Sequence, residues 1–330
     1  YCLNTLCGRH NREGDRIPNP GVLSLPVPRP AQPIPEELLP PLLSWRDGPE
    51  SRVRGLHGVF GEMPSTTLAD EILTAGEGQI RALIAVGANP LLVMPSPMDL
   101  HRAYDALGLK VSIDICLSAT ARRSDYVIAA KHPLEREDVT EFMDPFYEVP
   151  YACYTRAVAD PDPGAVEDWE FFVGLAKRLG SEIELPGGVV DTARPPSKLA
   201  LLKLIFPVTR IPLERLRATQ GGRIYDELEV VAAPPLPGME AKLDFAPPGV
   251  PEELRQLRSE VFGAAADGVY TCRLISRRMP HVVNTVGREV PQSKQKGTTN
   301  PAYINASDLS ELGLDSGDLV AIESAAGSIV

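Results

Sequence analysis

The sequence predicts an α/β protein built on a doubly wound parallel sheet and followed by the start of a β-barrel. Two patterns support this prediction. Helical and strand-like segments alternate between residues 65 and 130, which is typical of a parallel sheet covered by helices. From residue 266 onward the segments are short, β-like and separated by turns, which is typical of a barrel.

Each element of the alternating region has its own signal. A helix is predicted at Ser65–Leu73, where hydroxyl residues suited to capping precede acidic residues and an apolar stripe. A second helix is predicted at Met98–Leu107 and is closed by Gly108. Apolar runs predict three buried strands, at Arg81–Pro90, Lys110–Ile115 and Tyr126–Ala130, with a short turn or helix at Thr120–Ser124.

Helices and a connector are predicted on either side of this region. Residues 1–15 begin with a short helical segment, and dense proline makes Pro18–Pro49 an extended connector. An amphipathic helix at Val166–Leu179 is closed by Gly180. Its predicted apolar face consists of Trp169, Phe172, Leu175, Ala176 and Leu179. Two further helices are predicted, at Pro196–Ile205 and Pro251–Phe262.

The β-like region near the end contains both strands and a short helix. The predicted elements are a strand at Tyr270–Ile275, a strand at Ala302–Ile304, a one-turn helix at Ser307–Leu312 capped by Gly313, and a hairpin of Leu319–Ser324 with Ser328–Val330. Because the chain starts on Tyr1 and stops inside the hairpin, we expect it to be an internal piece of a longer protein.

Composition narrows the class of protein. With 330 residues and 43% hydrophobic residues, the chain is long enough for two or three domains. A formal net charge of -11 argues against general nucleic-acid binding, and no apolar run of about 18 residues predicts a membrane span. The cysteines are scattered, without C-x-x-C spacing, which favours a reducing, cytoplasmic setting. They are Cys2, Cys7, Cys116, Cys153 and Cys272.

A basic segment, defined as residues 272–300, interrupts this acidic chain. It has six cations against the single acid Glu289. The cations are Arg273, Arg277, Arg278, Arg288, Lys294 and Lys296. Clustered cations in an acidic protein predict a bound anion, although a solvated basic loop is the alternative. His281, Asn284 and Thr285 follow the arginine pair on a predicted loop, so they are candidate ligand contacts.

The strand ends provide further candidates. Gly87, Asn89 and Pro90 end the first strand, where glycine allows close backbone approach and asparagine offers a donor and an acceptor. An ordinary Asn-Pro turn is the alternative. Asp114 ends the second strand, where it is suited to a ribose hydroxyl or to capping the turn near Cys116. The acidic and basic run Glu135–Asp138 is interpreted as a solvated charge cluster.

Several chemistries lack a motif. Gly76-x-Gly78 precedes its strand, so it has the wrong order for a dinucleotide fingerprint, and a nicotinamide dehydrogenase is disfavoured. Phosphate-loop, zinc-protease and serine-hydrolase motifs do not occur.

Collinear segments of the chain resemble the molybdopterin oxidoreductases of the dimethyl sulfoxide reductase superfamily. They are GQIRALIAVGANP (Gly78–Pro90), VSIDICLSATARRSDYVIAA (Val111–Ala130) followed by Leu134–Arg136, YTCRLISRRMPHVVNT (Tyr270–Thr285), PAYINASDLSELGLDSGDLVAIESAAGSIV (Pro301–Val330) and, more weakly, LNTLCGRHNREGD (Leu3–Asp15). The sequence departs from the family pattern at Ser124, at Ala129–Ala130 and at Glu13–Gly14.

The resemblance implies a large enzyme that encloses a molybdenum cofactor, bis-molybdopterin guanine dinucleotide. Matched to the family motifs, Gly87, Asn89, Pro90, Asp114 and Thr120 would lie at the nucleotide end of one pterin. The matched residues of the basic segment would line the pterin and phosphates; they are Arg277, His281, Asn284 and Thr285. Neither a molybdenum ligand nor a catalytic residue is assigned, and iron–sulfur cysteines are expected outside this sequence.

The same resemblance predicts the domain organisation. Residues 1–60 would end a preceding α/β domain and add the connector, and residues 61–150 would form a Rossmann-like cofactor-binding domain. Residues 151–262 would be a helical, irregular returning segment, and residues 263–330 would start the molybdopterin dinucleotide-binding barrel.

The predicted function is two-electron redox chemistry on a small-molecule substrate by a molybdenum-dependent oxidoreductase, with a possible electron-transfer partner subunit. The alternative is a structural or electron-transfer subunit that keeps the fold and has lost the molybdenum site.

Overall fold

The structure is a computed structural model of the 330-residue chain. It describes residues 2–9, 12–32, 48–59, 61–238, 249–263, 270, 272–288, 290–295, 300–325 and 327–330. Residues 33–47 of the predicted connector lie outside the described residues, as do Thr271, Glu289 and Lys296 of the predicted strand and basic segment. Near the start of the chain, α1 (Cys2–Leu6) confirms the predicted short helix.

A three-stranded parallel sheet lies at the centre of the alternating region. In chain order its elements are α2 (Leu68–Leu73), β1 (Ala82–Val86), α3 (Pro90–Val93), α4 (Pro97–Ala106), β2 (Leu109–Asp114) and β3 (Tyr126–Ala129). The strand order is β1-β2-β3, with Ala82 opposite Leu109 and Asp114 opposite Ala129. The predicted strands and helices are therefore confirmed. The described strands show no reversal of order, which is the feature that defines a doubly wound sheet.

The two longer helices of this region pack against each other beside the sheet. Ile72 of α2 and Leu100, Ala103 and Tyr104 of α4 are buried in one core cluster with Leu91. The spacing of the three α4 residues at i, i+3 and i+4 produces this buried face. Burial of that face holds α3 and α4 under the loops that follow β1 and β2.

The start of α2 differs from its prediction. A short 3-10 helix, Ser65–Thr67, precedes it, and neither element has a side-chain cap bond. Thr67 Oγ1 instead donates to the carbonyl of Pro64 at 2.8 Å. The predicted hydroxyl capping is therefore wrong, because the hydroxyl of Thr67 bonds back to the carbonyl three residues earlier.

The region after the sheet consists of short antiparallel pairs and three helices. The pairs are β4 (Asp138–Val139) with β6 (Tyr154–Thr155), β5 (Tyr151–Ala152) with β9 (Arg223–Ile224), and β7 (Glu184–Leu185) with β8 (Gly188–Val189). The helices are α5 (Asp168–Leu179), α6 (Lys198–Ile205) and α7 (Leu213–Ala218). Just before α5, Val166 pairs in parallel with Ala130, so a fourth extended segment borders β3.

The buried face of α5 is only partly the predicted one. Gly180 has φ of +67° and closes the helix as expected. Val173 and Ala176 are buried, whereas Phe172 and Leu179 are 38% and 69% exposed. The predicted face is therefore wrong at these two exposed positions, because the core partners of Val173, which are Val190 and Leu201, meet the neighbouring stripe of the helix.

The last region contains isolated elements with little burial. They are α8 (Val250–Gly263), α9 (Pro291–Lys294), α10 (Ala306–Glu311), β10 (Ile322–Ser324) and β11 (Gly327–Ile329). The predicted short helix and hairpin are confirmed, with Ile322 opposite Ile329. The described residues of Tyr270–Ile275 and all of Ala302–Ile304 are not strands, because no neighbouring described strand supplies their backbone partners. The described part of this region shows a hairpin rather than a barrel.

Among the residues that the structure describes, no helix has the length and apolar character needed to cross a membrane.

Candidate functional site

Three strand-end loops meet at the carboxyl edge of the parallel sheet, which we call the ligand edge. They follow β1 at Gly87–Pro90, β2 at Asp114–Thr120 and β3 at Ala130–His132. Because the strands are parallel and in register, their ends lie side by side. Ligands of open α/β sheets bind outside this edge.

Gly87 leaves unoccupied space beside the backbone of the first loop. Its φ is +54°, in the left-handed region, and its N–H donates to the carbonyl of Ile113 at 2.8 Å. A Cβ built on Gly87 would meet no other atom within 4 Å. The conformation favours glycine, and the space beside the backbone is available for a ligand to approach closely.

Asn89 and Thr120 join the first loop to the second. Asn89 Oδ1 accepts from Thr120 N at 3.2 Å and from Thr120 Oγ1 at 2.9 Å, and both residues are buried. Leu91 N donates to the same hydroxyl at 3.3 Å. Pro90 occupies the first turn of α3, where its missing N–H is not needed. The hydrogen bonds described for these side chains are internal to the protein, so they hold the shape of the edge.

Tyr104 and Ser124 extend this network, and the sequence analysis did not single out either one as a site residue. The hydroxyl of Tyr104 donates to the carbonyl of Thr120 at 3.3 Å and lies 2.8 Å from Ser124 Oγ. Ser124 Oγ in turn donates to that carbonyl at 3.0 Å. A weak signal existed, since Ser124 stands where the family pattern has alanine, but its partner 20 residues away was not predictable.

Asp114 places a half-buried carboxylate between the first and third loops. Its Oδ1 accepts a long bond from Cys116 N at 3.4 Å and lies 3.8 Å from Cys116 Sγ. Its Oδ2 has no hydrogen bond within the described residues. The capping alternative is therefore present in a weak form, and half of the carboxylate remains available to a ligand hydroxyl.

The third loop leads into a network of paired charges. Glu167 is buried and lies 3.1 Å from Lys198 Nζ and 3.8 Å from Lys131 Nζ. Arg136 pairs with Asp138 at 3.4 Å. Residues 135–138, interpreted from the sequence as a solvated charge cluster, are partly buried, because Glu137 and Asp138 contact Tyr154 and Lys198 of the region after the sheet.

Two acid–base groups near this network are perturbed. Burial, and then the hydrogen bond from its hydroxyl to Glu137 at 2.6 Å, raises the pKa of Tyr154 to about 12. Desolvation raises the pKa of Glu141, and the nearby carboxylate of Asp138 adds to this effect. Neither group lies among the residues predicted to bind the ligand.

The basic segment has a different construction. The guanidinium carbon of Arg277 lies 4.0 Å from the ring centroid of Tyr303, an exposed cation–π contact. Val283 and Val286 exchange two backbone bonds, 3.1 and 2.8 Å long, around Asn284 and Thr285. Asn284 has φ of +54°, which asparagine tolerates better than most residues.

His281 packs beneath this turn. Its carbonyl accepts from Ser293 Oγ at 3.3 Å, and its Nε2 is enclosed without a hydrogen-bond partner in the described part of the chain. No hydrogen bond among the described residues connects the side chains of Arg277, His281, Asn284 or Thr285 to the ligand edge. The structure thus places the loops that carry Gly87, Asn89, Pro90, Asp114 and Thr120 side by side at the ligand edge. Within the described residues, no hydrogen bond or ion pair joins Arg277 to His281, Asn284 or Thr285.

The cysteines of the described residues do not form a local metal site. Cys7 and Cys153 are free thiols. Within the described ranges, no group of three His, Cys, Asp or Glu side chains has the spacing to hold a metal ion.

Comparisons with known proteins were made for the whole chain. No protein-family model matches it. It is 32% identical over 114 residues to the probable oxidoreductase YyaE of Bacillus subtilis, covering 34% of this chain and 17% of that protein. It is 28% identical over 114 residues to the thiosulfate reductase molybdopterin-containing subunit PhsA of Salmonella typhimurium, covering 34% of this chain and 15% of that protein.

A longer match involves a putative dimethyl sulfoxide reductase catalytic subunit of Halobacterium salinarum. It is 24% identical over 250 residues, covering 69% of this chain and 28% of that protein. Among solved structures, acetylene hydratase from Pelobacter acetylenicus matches with a TM-score of 0.34 and 24% identity, covering 37% of this chain and 16% of that one. The chain thus spans less than a third of the length of each of these relatives.

The fold and the ligand edge define an α/β protein whose strand-end loops form its candidate binding site. Over part of its length the chain is similar to several proteins named as oxidoreductases or reductases, one of them a molybdopterin-containing subunit.

Proposed function

We propose that the ligand edge holds the nucleotide end of a molybdopterin guanine dinucleotide in a molybdenum-dependent oxidoreductase. The observation that carries this proposal is the pairing of an open glycine backbone with a half-free carboxylate at neighbouring strand ends. Gly87 provides the first and Asp114 provides the second. A nucleotide needs both features, because its phosphates require close approach and its ribose hydroxyls require an acceptor.

Asn89, Pro90 and Thr120 contribute by fixing the shape of the edge. Since Asn89 Oδ1 and Thr120 Oγ1 already bond to each other, we assign them to holding the loops rather than to direct recognition. Pro90 restricts the backbone directly after Asn89. The three residues together maintain the loop conformation that leaves space beside the backbone of Gly87.

The basic segment supplies cations to the pterin and phosphate groups. Arg277 lies against Tyr303, and its planar guanidinium suits bidentate contact with phosphate. Asn284 and Thr285 of the adjoining turn, together with His281, are assigned further polar contacts with the cofactor, for which the enclosed Nε2 of His281 would have to become accessible. In this proposal the basic segment and the ligand edge both contact the cofactor.

The bound cofactor would supply two-electron redox chemistry on a small substrate. The residues of this chain would bind it, orient it and neutralise its phosphate charge, with no catalytic role or metal ligand assigned to any of them.

Further parts of the proposal concern the whole protein. They are a cytoplasmic location, a bis-molybdopterin form of the cofactor, an iron–sulfur cluster bound by cysteines outside this sequence, and an electron-transfer partner. The scattered cysteines support the first, and the family resemblance supports the other three. The proposed domains are residues 1–60, 61–150, 151–262 and 263–330, with the last continuing into a dinucleotide-binding barrel.

The test is the cofactor content of the intact purified protein. We expect molybdenum and guanine nucleotide together in the wild type, and about a tenfold loss of both in Asp114→Ala, the effect of removing a charge-assisted hydrogen bond. Asp125→Ala is the matched control, since Asp125 caps Lys110 N at the opposite edge of the sheet. A wild-type protein that contains neither component would contradict the proposal.

A further inference from the structure

Helix α3 is held at both backbone polar groups of Leu91. The N–H donates to Thr120 Oγ1 at 3.3 Å, and the carbonyl O lies 3.2 Å from His101 Nε2. Leu91 is itself buried. Because Leu91 comes two residues after Asn89, these contacts fix the position of the whole loop that follows β1.

The contacts of His101 define its protonation state. Its Nδ1 lies 2.9 Å from Nη1 of Arg123, and Nη2 of Arg123 binds the carboxylate of Asp105. A guanidinium can only donate, so Nδ1 accepts, and the single proton of a neutral imidazole lies on Nε2. The carbonyl of Leu91 accepts that proton. Both contacts together therefore require the neutral ring.

These hydrogen bonds form a closed ring of contacts at the ligand edge. Asn89 bonds to Thr120, Thr120 to Leu91, Leu91 to His101 and His101 to Arg123. Arg123 N then donates to the carbonyl of Thr120 at 3.1 Å. The loops after β1 and β2 are consequently held together through His101 on α4.

A protonated His101 cannot make the same contacts. Its Nδ1 would carry a proton and point at the Arg123 cation, so an attractive bond would become a repulsion. Asp105 is the carboxylate one turn away on the same helix, and it is already bound to Arg123. Helix α3 contributes no titratable side chain, having the sequence PLLV.

The other charges near α4 are occupied elsewhere. Helix α2 packs against α4, and its acids Asp70 and Glu71 pair with Arg54 and Arg52. On α4 itself, Arg102 pairs with Asp99 at 3.1 Å. The exposed Arg122, next to Arg123, would add further positive charge. The surroundings therefore offer little compensation for a second cation at His101.

We propose that His101 is a positioning residue that holds the ligand edge in shape while neutral and releases the loop after β1 when it is protonated. Its importance for nucleotide binding rests on the proposed function, whereas the release itself is a property of this chain.

Amide hydrogen exchange in the intact protein tests the release. After correction for the intrinsic rate, we expect protection of residues 87–93 to fall about tenfold, relative to β2, between about pH 8 and pH 5, as for loss of one hydrogen bond. His101→Gln should keep its protection at the lower pH, because the amide can accept from Arg123 and donate to Leu91 without titrating. Unchanged wild-type protection, or an equal fall in His101→Gln, would overturn the inference.

His132→Gln is the matched control. His132 also lies at a strand end, and its Nδ1 accepts from Leu134 N at 3.2 Å, outside the ring. This variant should keep the pH response of the wild type, and loss of the response would contradict a specific role for His101.

Guanosine diphosphate binding separates this inference from the proposed function. Exchange that responds to pH without nucleotide binding at either pH supports the release and contradicts the proposed site. Binding together with exchange that does not respond to pH supports the site and overturns the release.

Discussion

The ligand edge and the basic segment present their candidate binding surfaces in opposite ways. At the ligand edge the polar side chains of Asn89 and Thr120 are buried and bond to each other, and the buried hydroxyl of Tyr104 donates to the carbonyl of Thr120. What remains open is mainly the backbone at Gly87 and one carboxylate. In the basic segment, Arg277 is exposed and the turn is set by local backbone bonds. The first surface therefore depends on tertiary packing, and the second on local contacts within the segment.

The largest expected effect is a difference in the free energy of unfolding between a substitution at the ligand edge and one in the basic segment. Tyr104 is 1% exposed, and Tyr104→Ala should lower the free energy of unfolding by about 3–5 kcal/mol through lost packing and lost hydrogen bonds. Tyr303 is 70% exposed, so Tyr303→Ala should cost about 1 kcal/mol or less. Chemical denaturation measures both values, and equal losses would show that the basic segment is as tightly packed as the sheet.

A smaller effect is expected for the link between the two loops. Thr120→Val keeps the shape of the side chain but leaves Asn89 Oδ1 without its hydroxyl donor, at a cost of about 1–3 kcal/mol. In Thr285→Val the change should stay within about 0.5 kcal/mol, since no hydrogen bond of that hydroxyl occurs in the described residues. A neutral Thr120→Val in denaturant titrations would remove the argument that this bond maintains the edge.

The smallest expected effect on stability is that of a substitution at Arg277, which should instead reduce the amount of bound cofactor. Arg277→Ala should leave the unfolding transition nearly unchanged while lowering cofactor occupancy about tenfold, as expected for one charge-assisted contact. Arg255→Ala is a suitable control, because Arg255 is also exposed and, among the described residues, pairs with Glu252 at 2.9 Å. Full occupancy in Arg277→Ala would make the basic segment an ordinary solvated loop.

The central strands and helices could be predicted because their signals are local. Continuous apolar runs identified all three parallel strands, and a glycine closed α5 as expected. Gly87 and Asp114 were identifiable for the same reason, since a strand end is visible in the sequence.

Features that depend on distant partners were not predictable. The described residues of the strand expected at Tyr270–Ile275 are not in a strand, because a strand requires a neighbouring strand, which local composition does not reveal. The ring through His101 and Arg123 joins residues 22 positions apart on separate elements, and no spacing rule connects them. Thr120 was identified by resemblance alone, and its actual bonds to Asn89 and Leu91 appeared only in three dimensions.

The most direct test of the central claim is amide hydrogen exchange of the intact protein with and without its molybdenum cofactor. The account predicts cofactor-dependent protection in three segments, residues 87–90, 114–120 and 277–285, because both surfaces would contact the same ligand. Equal exchange at residues 87–90 and 114–120 in the two forms would contradict the claim that the ligand edge binds the cofactor.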